Sequence, residues 1–375
     1  MSRERLRGLK ILDFGEDLKS AEECGCGFRH ERTLKNILIG PIGEALEVLE
    51  DLGFEPPFAV FYDPLTRNIA GRLVEERLGA RGVLIESPTF REAEEKLGEA
   101  GGAKTILGVG GGTVIDAAKY AAYRLRSDFI AIPTAPSHDG MVSPIVSLFL
   151  EGRRKSILAR SPRAAIIDLS ILRSAPRDLI ASGYGDILAK IVSIKDWQLG
   201  RDELGEPYCE TAEKLILGSL NELIDCLVDK RSPLGCLEPL VRALVNSGAA
   251  MMLVESSRPA SGSEHLISHY LDMALGRRLR HGIQCALGTL AMAAYHKLKN
   301  PNWWRGGRYD PEAIRSYVSM AGAPSDLREA GIPIEVMRRA IARAWRIRPK
   351  RYTILHKFKP DEEDAAEILK HAKLV

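Results

Sequence analysis

Four polar side chains in the second half of the chain have the types and spacing of a metal site. Asp186 follows Gly183-Tyr-Gly in a segment with a helical pattern. His265 and His269 are four positions apart, which places them on one face of a helix. His281 begins the next helical segment. One carboxylate and two or three imidazoles form a reasonable ligand set for Zn²⁺, with a position left for a substrate oxygen.

Each of these residues also has an ordinary structural interpretation. Asp186 could cap the N-terminus of a helix, and histidine has many structural uses. However, three of the eight histidines fall between positions 265 and 281, in an otherwise apolar helical region, and this clustering favours a site. The remaining histidines outside the loops lie among charged residues and are predicted to be solvated; they are His30, His296, His356 and His371.

A second candidate site lies in the stretch 105–119. An apolar run of strand length ends at the glycine triplet 110–112, and a helical pattern resumes at Val114. Glycines let a backbone approach an anion closely, and the following helix offers unpaired N–H groups, so this sequence is typical of a phosphate-holding turn. A tight strand-to-helix turn without a ligand would have the same sequence features.

The elements around this turn alternate between strand and helix. Strands are predicted at 36–40, 57–62, 82–86, 105–110, 128–132 and 164–168. Such alternation predicts a parallel, Rossmann-like sheet covered on both faces, with ligands beyond the carboxyl ends of its strands. The small polar loop 133–140 is expected at that same edge. Residues 145–150 and 156–159 are predicted to form an antiparallel excursion.

Beyond about Pro176 the alternation stops and long amphipathic segments follow, which predicts an all-helical second domain. The predicted organisation is therefore an N-terminal extension over 1–30, a dinucleotide-binding α/β domain over 31–178, and a helical metal- and substrate-binding domain over 179–375.

Composition argues against several classes of protein. The 375 residues carry a net charge of +3 with scattered basic residues, so no nucleic-acid partner is expected. No apolar segment approaches the length of a membrane span, and the charged N-terminus lacks a secretory pattern, so we expect a cytoplasmic protein without membrane insertion. The six cysteines fit no zinc-ribbon spacing, and Cys24 and Cys26 are expected to be free thiols.

Taken in order, the motifs resemble a known superfamily. They are Gly110-Gly-Gly-Thr-Val-Ile-Asp116-Ala-Ala-Lys119, Pro133-Thr-Ala-Pro-Ser-His-Asp-Gly140, Gly185-Asp186-Ile-Leu-Ala-Lys190, His265-x3-His269 and His281-Gly282. This series resembles the metal-dependent polyol dehydrogenase and dehydroquinate synthase superfamily over about residues 36–350. Within it, the series is most similar to the archaeal sn-glycerol-1-phosphate dehydrogenase family.

The resemblance implies roles for individual residues. Zn²⁺, one per subunit, would be bound by Asp186, His265 and His281, with His269 able to exchange roles with His265. Substrate would be contacted by Asp139, Asp186 and His269, of which Asp186 and His269 would be catalytic. NAD or NADP would be bound by Asp63, Gly111, Gly112, Thr113, Val114, Ile115, Asp116, Thr134, Ala135, Pro136, Ser137 and Ser143. Lys190 and His269 are candidate donors to a substrate phosphate.

The implied reaction is reduction of dihydroxyacetone phosphate by NAD(P)H to sn-glycerol 1-phosphate, a precursor of archaeal membrane phospholipids, by a homo-oligomer. Three alternatives stay open from the sequence. A glycerol or polyol dehydrogenase would share the cofactor and metal sites but lack a phosphate pocket. A dehydroquinate synthase-type lyase would release phosphate without net redox change. A non-catalytic nucleotide sensor would retain only the glycine turn.

Overall fold

The stretch 105–119 folds as its sequence predicts. In the computed structural model, which describes residues 9–13, 24–275 and 279–375, Thr105–Gly110 is a strand buried along its whole length. Gly112–Leu125 is the helix that follows. A strand buried on both faces requires cover on both sides of its sheet, which is the arrangement of parallel α/β sheets.

The chain divides into two units. The N-terminal unit comprises 1–24, 29–176 and 252–256, and the C-terminal unit comprises 25–28, 177–251 and 257–375. The first contains the sheet. Of the described residues from 177 onward, none belongs to a strand. The predicted fold class, a Rossmann-like α/β domain followed by a helical domain, is therefore confirmed.

The N-terminal unit is built on a seven-stranded sheet with the order β1-β2-β9-β6-β5-β3-β4. All neighbouring strands are parallel except β1 and β2. The strands are β1 (Lys10–Asp13), β2 (Asn36–Ile39), β3 (Phe58–Tyr62), β4 (Arg81–Leu84), β5 (Thr105–Gly110), β6 (Asp128–Pro133) and β9 (Ala164–Ile167). The predicted antiparallel excursion is present as β7 (Ile145–Leu150) and β8 (Arg153–Leu158).

The helices of this unit connect the strands. They are α1 (Ile42–Glu47), α2 (Arg72–Leu78), α3 (Phe90–Glu95), α4 (Leu97–Ala100), α5 (Gly112–Leu125) and α6 (Leu169–Ser174). Two further helical turns, Pro64–Thr66 and Arg67–Gly71, precede α2. Thr89 caps α3, since its side chain accepts a hydrogen bond from the Glu92 N–H.

One strand lies where the sequence predicted only an extension. Lys10–Asp13 pairs antiparallel with β2 and forms an edge of the sheet. Four residues are too few for a recognisable alternation, so pairing with β2 rather than local pattern defines this strand. The rest of the predicted extension, residues 1–8 and 14–23, lies outside the described residues.

The C-terminal unit is built on ten helices of the described chain. They are α7 (Arg177–Leu188), α8 (Lys190–Leu204), α9 (Glu210–Lys230), α10 (Leu237–Leu253), α11 (Ser263–Leu275), α12 (His281–Lys299), α13 (Pro311–Met320), α14 (Ile334–Arg343), α15 (Ile354–Phe358) and α16 (Glu362–His371). Helix α12 is buried from Gly282 to His296 and packs against both α7 and α11. It is the central helix of this unit.

The prediction that His296 is solvated was wrong. Its side chain is fully buried on α12, its Nε2 lies 3.1 Å from Asp196 Oδ1, and its ring stacks on Trp303. The charged residues near His296 in the sequence were misleading. They belong to the exposed end of the helix, whereas the imidazole itself points into the helix bundle.

Asp196 organises the buried polar interactions around that histidine. It accepts hydrogen bonds from the backbone N–H groups of Ser263, at 2.6 Å, and Ile354, at 2.7 Å. These N–H groups belong to the first residues of α11 and α15, where helices have unpaired donors. One carboxylate on α8 therefore fixes the starts of two other helices.

The cysteines differ partly from expectation. Cys24 and Cys26 are thiols outside any disulfide, as expected, and so are Cys209 and Cys285. Cys226 and Cys236 form a disulfide, which the sequence analysis did not predict. Among the helices described, none has both the length and the apolar composition needed to cross a bilayer.

Candidate functional site

The glycine turn sits at the carboxyl end of β5, where it begins α5. Gly111 is the residue before the helix, and no side chain caps the first N–H groups of α5. A Cβ on Gly112 would lie 2.1 Å from His138 Nε2, so a side chain there is excluded unless the imidazole moves. The turn therefore presents backbone donors with little side-chain cover, which suits an anionic group.

The loop after β6 lies against this turn. In the parallel register Gly110 pairs with Pro133, and the Thr134 N–H donates to the Gly110 carbonyl at 3.1 Å. Thr134, Ala135 and Ser137 are buried. Two of the predicted cofactor-binding segments, 111–116 and 134–137, are thus brought together at one edge of the sheet.

Not every residue of the first segment is available to a ligand. Gly111, Gly112 and Thr113 are partly exposed, whereas the side chains of Val114 and Ile115 are buried. The Ile115 N–H already donates to the Gly111 carbonyl. The exposed part of the turn is therefore residues 111–113.

Asp116 is held by protein groups. Its Oδ1 lies 3.2 Å from Lys119 Nζ, and its Oδ2 accepts from the Ser147 N–H at 3.0 Å. The buried Lys119 ammonium also donates to the carbonyls of Gly140 and Ile145. Burial lowers the pKa of Lys119, although the charge of Asp116 opposes this shift. The pair ties α5 to the loop after β6, a positioning role that the sequence analysis did not assign.

Asp63 has a structural partner as well. It follows β3, and its Oδ1 accepts from the Thr66 N–H at 2.7 Å while the Thr66 hydroxyl accepts from the Asp63 N–H. This is a reciprocal cap of the helical turn Pro64–Thr66. The predicted ribose contact of Asp63 remains a prediction.

The other predicted residues of this unit follow the same loop. Asp139 is partly exposed and begins the short 3-10 turn Asp139–Met141. Its carbonyl accepts from the N–H of Ser143, a buried residue. Pro136 lies between Ala135 and Ser137 in the loop.

The metal candidates come from three helices of the C-terminal unit. Asp186 lies in the last turn of α7, not at a helix N-terminus, so the capping interpretation is wrong. His265 lies in the first turn of α11, and His281 begins α12. Since α7 and α11 both pack on α12, residues about 80 to 95 positions apart in the sequence meet.

Two glycines allow this meeting. A Cβ on Gly282 would lie 1.7 Å from the Ser182 carbonyl oxygen, and one on Gly185 would lie 2.2 Å from the Gly282 carbonyl oxygen. The backbones of α7 and α12 therefore touch beside Asp186 and His281. Only residues without a side chain permit that contact.

The donor atoms converge. Asp186 Oδ1 lies 3.5 Å from His265 Nε2 and 4.0 Å from His281 Nε2. These atoms, together with Cys285 Sγ, all lie within 4.8 Å of one another. A carboxylate and two imidazoles at this spacing fit a divalent cation such as Zn²⁺.

The orientation of both imidazoles is fixed by buried partners. His265 Nδ1 lies 2.6 Å from the carboxylate of Glu264, which accepts its N–H, and Nε2 faces Asp186 Oδ1 at 3.5 Å. His281 Nδ1 lies 3.1 Å from the Ser268 hydroxyl. Partners of this kind orient metal-binding histidines.

The Ser268 hydroxyl is itself part of a chain of hydrogen bonds. It donates to Gln284 Oε1 at 2.7 Å, and Gln284 Nε2 donates to Asp272 at 3.1 Å. Because the Ser268 hydroxyl donates its hydrogen to Gln284, its oxygen accepts a hydrogen bond from His281 Nδ1–H. Nε2 of His281 faces Asp186 Oδ1 at 4.0 Å.

Asp186 is ionised despite its burial. Burial alone would raise its pKa, but the charge of Lys190, the hydrogen bond from His265 and the neighbouring imidazole charges hold the pKa well below its usual value. Lys190 Nζ lies 3.1 Å from Asp186 Oδ1 and donates to the Ala260 carbonyl. Since Lys190 is fully buried, it supports Asp186, and its expected use as a substrate phosphate donor does not fit.

The same cluster favours a positive charge at His265. Burial would lower the pKa of this imidazole, but the Cys285 and Asp186 side chains raise it well above its usual value. Without a metal, a proton on His265 balances the negative groups. A divalent cation can replace that proton, which is how metal binding and protonation compete.

His269 does not belong to the donor cluster. It is partly exposed, one turn along α11 from His265. The geometry thus favours His265 over His269 as the ligand. The His281 side chain is 25% exposed, whereas Asp186 and His265 are buried, so His281 forms the exposed side of the cluster.

Sequence reasoning missed several residues that support this cluster. They are Glu264, Ser268, Gln284 and Cys285. The available signals were weak: Glu264 is next to His265, and Cys285 is four positions after His281. Such short spacings are common by chance.

Comparisons with known proteins agree with this architecture. Residues 37–176 match the iron-containing alcohol dehydrogenase family model. A solved iron-containing alcohol dehydrogenase from Thermococcus thioreducens superposes with a TM-score of 0.69 at 16% identity, covering 92% of this chain and 99% of that one. A probable glycerol dehydrogenase from Sinorhizobium meliloti gives a TM-score of 0.69 at 21% identity, covering 88% and 94%. The fold is that of the iron-containing alcohol dehydrogenases.

Sequence relatives are more specific. The glycerol-1-phosphate dehydrogenase [NAD(P)+] of Sulfurisphaera tokodaii is 38% identical over 330 residues, covering 86% of this chain and 91% of the relative. That of Pyrococcus furiosus is 37% identical, covering 86% and 92%. The chain belongs to the glycerol-1-phosphate dehydrogenase family.

Proposed function

We propose that this protein is an NAD(P)-dependent oxidoreductase that reduces dihydroxyacetone phosphate to sn-glycerol 1-phosphate and catalyses the reverse reaction. Family membership supports the reaction. The observation that carries the chemistry is the convergence of Asp186, His265 and His281, with Nε2 of both histidines facing the Asp186 carboxylate. The product is a precursor of archaeal membrane phospholipids.

The three converging side chains would hold one Zn²⁺ per subunit. A cation bound there supplies a Lewis acid, which polarises the ketone and offsets the charge that develops on its oxygen. Lys190 keeps Asp186 ionised, and Glu264 holds the His265 ring with Nε2 directed at Asp186. These fixed charges need no reorganisation during the reaction, which is where electrostatic catalysis gains most.

The N-terminal unit would hold the cofactor. Residues 111–113 present backbone donors suited to the pyrophosphate, and the loop 134–137 with Ser143 would line the nicotinamide. Asp63 would contact the adenosine ribose. The hydride comes from the cofactor, whereas the protein sets which face of the ketone receives it.

Asp139 and His269 would contact the substrate. His269 is partly exposed and close to His265 along α11, so it can reach a bound molecule without being a ligand. We assign it the transfer of the proton that the reduced oxygen gains. A His269→Gln variant should keep its metal content and lose turnover.

The test is NADH or NADPH oxidation with dihydroxyacetone phosphate, before and after removal of metal with a chelator, followed by the chirality of the product. We expect metal-dependent turnover and sn-glycerol 1-phosphate. Preference for dihydroxyacetone over its phosphate would instead indicate a polyol dehydrogenase. Release of inorganic phosphate without net cofactor oxidation would indicate a lyase, and cofactor binding without turnover would indicate a sensor.

A further inference from the structure

Cys285 lies beside the proposed metal centre and has no role in the proposed reaction. It is four residues after His281 on α12, so both side chains project from one face of the helix. Its side chain is fully buried. The Sγ atom lies 3.6 Å from Nε2 of His281 and within 4.8 Å of the donor atoms of Asp186 and His265.

The spacing of the four donor atoms is close to that of tetrahedral ligands. With Zn–N and Zn–O bonds of 2.0–2.1 Å and a Zn–S bond of 2.3 Å, tetrahedral donors lie about 3.4 Å apart for N and O, and about 3.6 Å apart for N and S. The separations are 3.5 Å for Asp186 and His265, and 3.6 Å for His281 and Cys285. That between Asp186 and His281 is 4.0 Å. Small side-chain adjustments therefore bring all four to one ion.

We propose that Cys285 Sγ is a fourth protein ligand of the metal in the substrate-free enzyme. This inference rests on the proposed function, because it concerns the same centre. Binding converts the thiol to a thiolate and releases its proton to solvent, in addition to the proton that the metal displaces from His265, with no change in oxidation state. Catalytic zinc sites can expand to five ligands in the transition state, so a fourth protein donor leaves room for a ketone oxygen.

A thiolate ligand changes two properties of the centre. With the Asp186 carboxylate, it brings the total ligand charge to −2, which neutralises a divalent cation inside a buried cluster. Thiolates also favour Zn²⁺ over harder ions such as Mg²⁺ or Mn²⁺, whereas a carboxylate with two imidazoles accepts several metals. Cys285 is therefore the residue that selects zinc.

The alternative is that Cys285 only packs, since free cysteines are among the most buried residue types. Spectroscopy distinguishes a metal-bound Cys285 from one that only packs. The experiment uses full-length protein in which the other cysteines outside the disulfide, Cys24, Cys26 and Cys209, are changed to serine, so that Cys285 is the one thiol left. The metal is removed and one equivalent of Co²⁺ is added.

We expect a thiolate-to-cobalt charge-transfer band in the near ultraviolet. Cys285→Ser should abolish this band while cobalt remains bound, and zinc affinity should fall about 10–100-fold, as for other changes around a metal. X-ray absorption of the zinc protein, which needs no variant at Cys285, should show a sulfur neighbour at about 2.3 Å. Asp186→Asn should remove cobalt altogether and so assign the band to this centre.

Two negative results have different meanings. One outcome is that cobalt binds stoichiometrically and Asp186→Asn releases it, but neither a charge-transfer band nor a sulfur neighbour is seen. This outcome overturns the role of Cys285 and leaves the proposed function intact. Failure to bind any divalent metal, together with dihydroxyacetone phosphate turnover that chelation does not affect, overturns both. A band that persists in Cys285→Ser also overturns the proposal.

Discussion

The glycine turn of the N-terminal unit and the donor cluster of the C-terminal unit are built in opposite ways. The turn uses backbone groups of consecutive residues. The charged pair near it, Asp116 and Lys119, is a buried salt bridge within the helix that follows. The cluster uses side chains from three helices, each with a buried partner. Backbone geometry can be encoded locally, whereas a set of buried charges needs partners from distant sequence.

This difference predicts different responses to mutation. Changes in the cluster should affect stability and chemistry together, because the same groups compensate buried charge and hold the metal. Changes at the exposed turn should affect cofactor affinity alone. Four substitutions test this contrast, in order of decreasing expected effect.

Asp186→Asn should have the largest effect. It leaves the buried Lys190 ammonium without its carboxylate, which costs about 3–5 kcal/mol of folding free energy. Turnover should fall by more than the roughly 10²–10³-fold typical of losing one electrostatic group. Denaturant unfolding and NADH oxidation measure both. The control Asp178→Asn lies on the same helix in an exposed pair with Arg280, and should cost no more than about 1 kcal/mol.

Asp196→Asn should destabilise the C-terminal unit by about 3 kcal/mol at pH 7, since a carboxylate that accepts several buried hydrogen bonds is lost. Asp202→Asn, exposed on the same helix α8, is the matched control and should be nearly neutral.

The pH dependence of this effect has a definite sign. Burial would raise the pKa of Asp196, but the charge of His296 and the hydrogen bonds from His296 and Ser263 lower it overall. A carboxyl with a lowered folded pKa stabilises fully above the unfolded value of about 3.9 and loses that contribution as pH falls through the folded pKa. The difference between wild type and Asp196→Asn should therefore shrink below about pH 4. A constant difference from pH 7 to pH 3 would contradict this account.

Gly282→Ala should destabilise by about 1–3 kcal/mol, because its Cβ would meet the Ser182 carbonyl on the facing backbone. The shift of α12 should also lower metal affinity, measured by competition with a chelator. Gly218→Ala tests the same substitution in helix α9, where no atom lies within 4 Å, and should stabilise by about 0.5–1 kcal/mol. Equal effects at the two glycines would argue against the helix contact.

Gly111→Ala should have the smallest effect, and it should be confined to cofactor binding. The residue is extended, and its Cβ would meet no protein atom within 4 Å, so the unfolding free energy should hardly change. A methyl group at the turn should weaken NAD(P)H binding about 10-fold, or about 1.4 kcal/mol. Fluorescence titration measures this, with Gly98→Ala as the control in an equally open position. Unchanged affinity would mean that the pyrophosphate does not approach Gly111.

Much of the fold could be predicted because its signals are local. The alternation of strands with helices, the glycine triplet and the antiparallel excursion all appear within short windows of sequence, and the structure contains each of them. The first strand was missed because four residues carry too little pattern. The Cys226–Cys236 disulfide was missed because pairing depends on which elements pack together.

The sequence by itself determined the types of group available: a carboxylate, histidines four apart, and glycines where backbones must approach. Only the tertiary structure decided which of them meet. Packing of α7 and α11 on α12 selected His265 rather than His269, placed Lys190 against Asp186 and brought Cys285 into the cluster. The physical reason is that a buried charge is tolerated only where opposite charges and hydrogen-bond donors surround it, and those neighbours are set by packing rather than by sequence spacing.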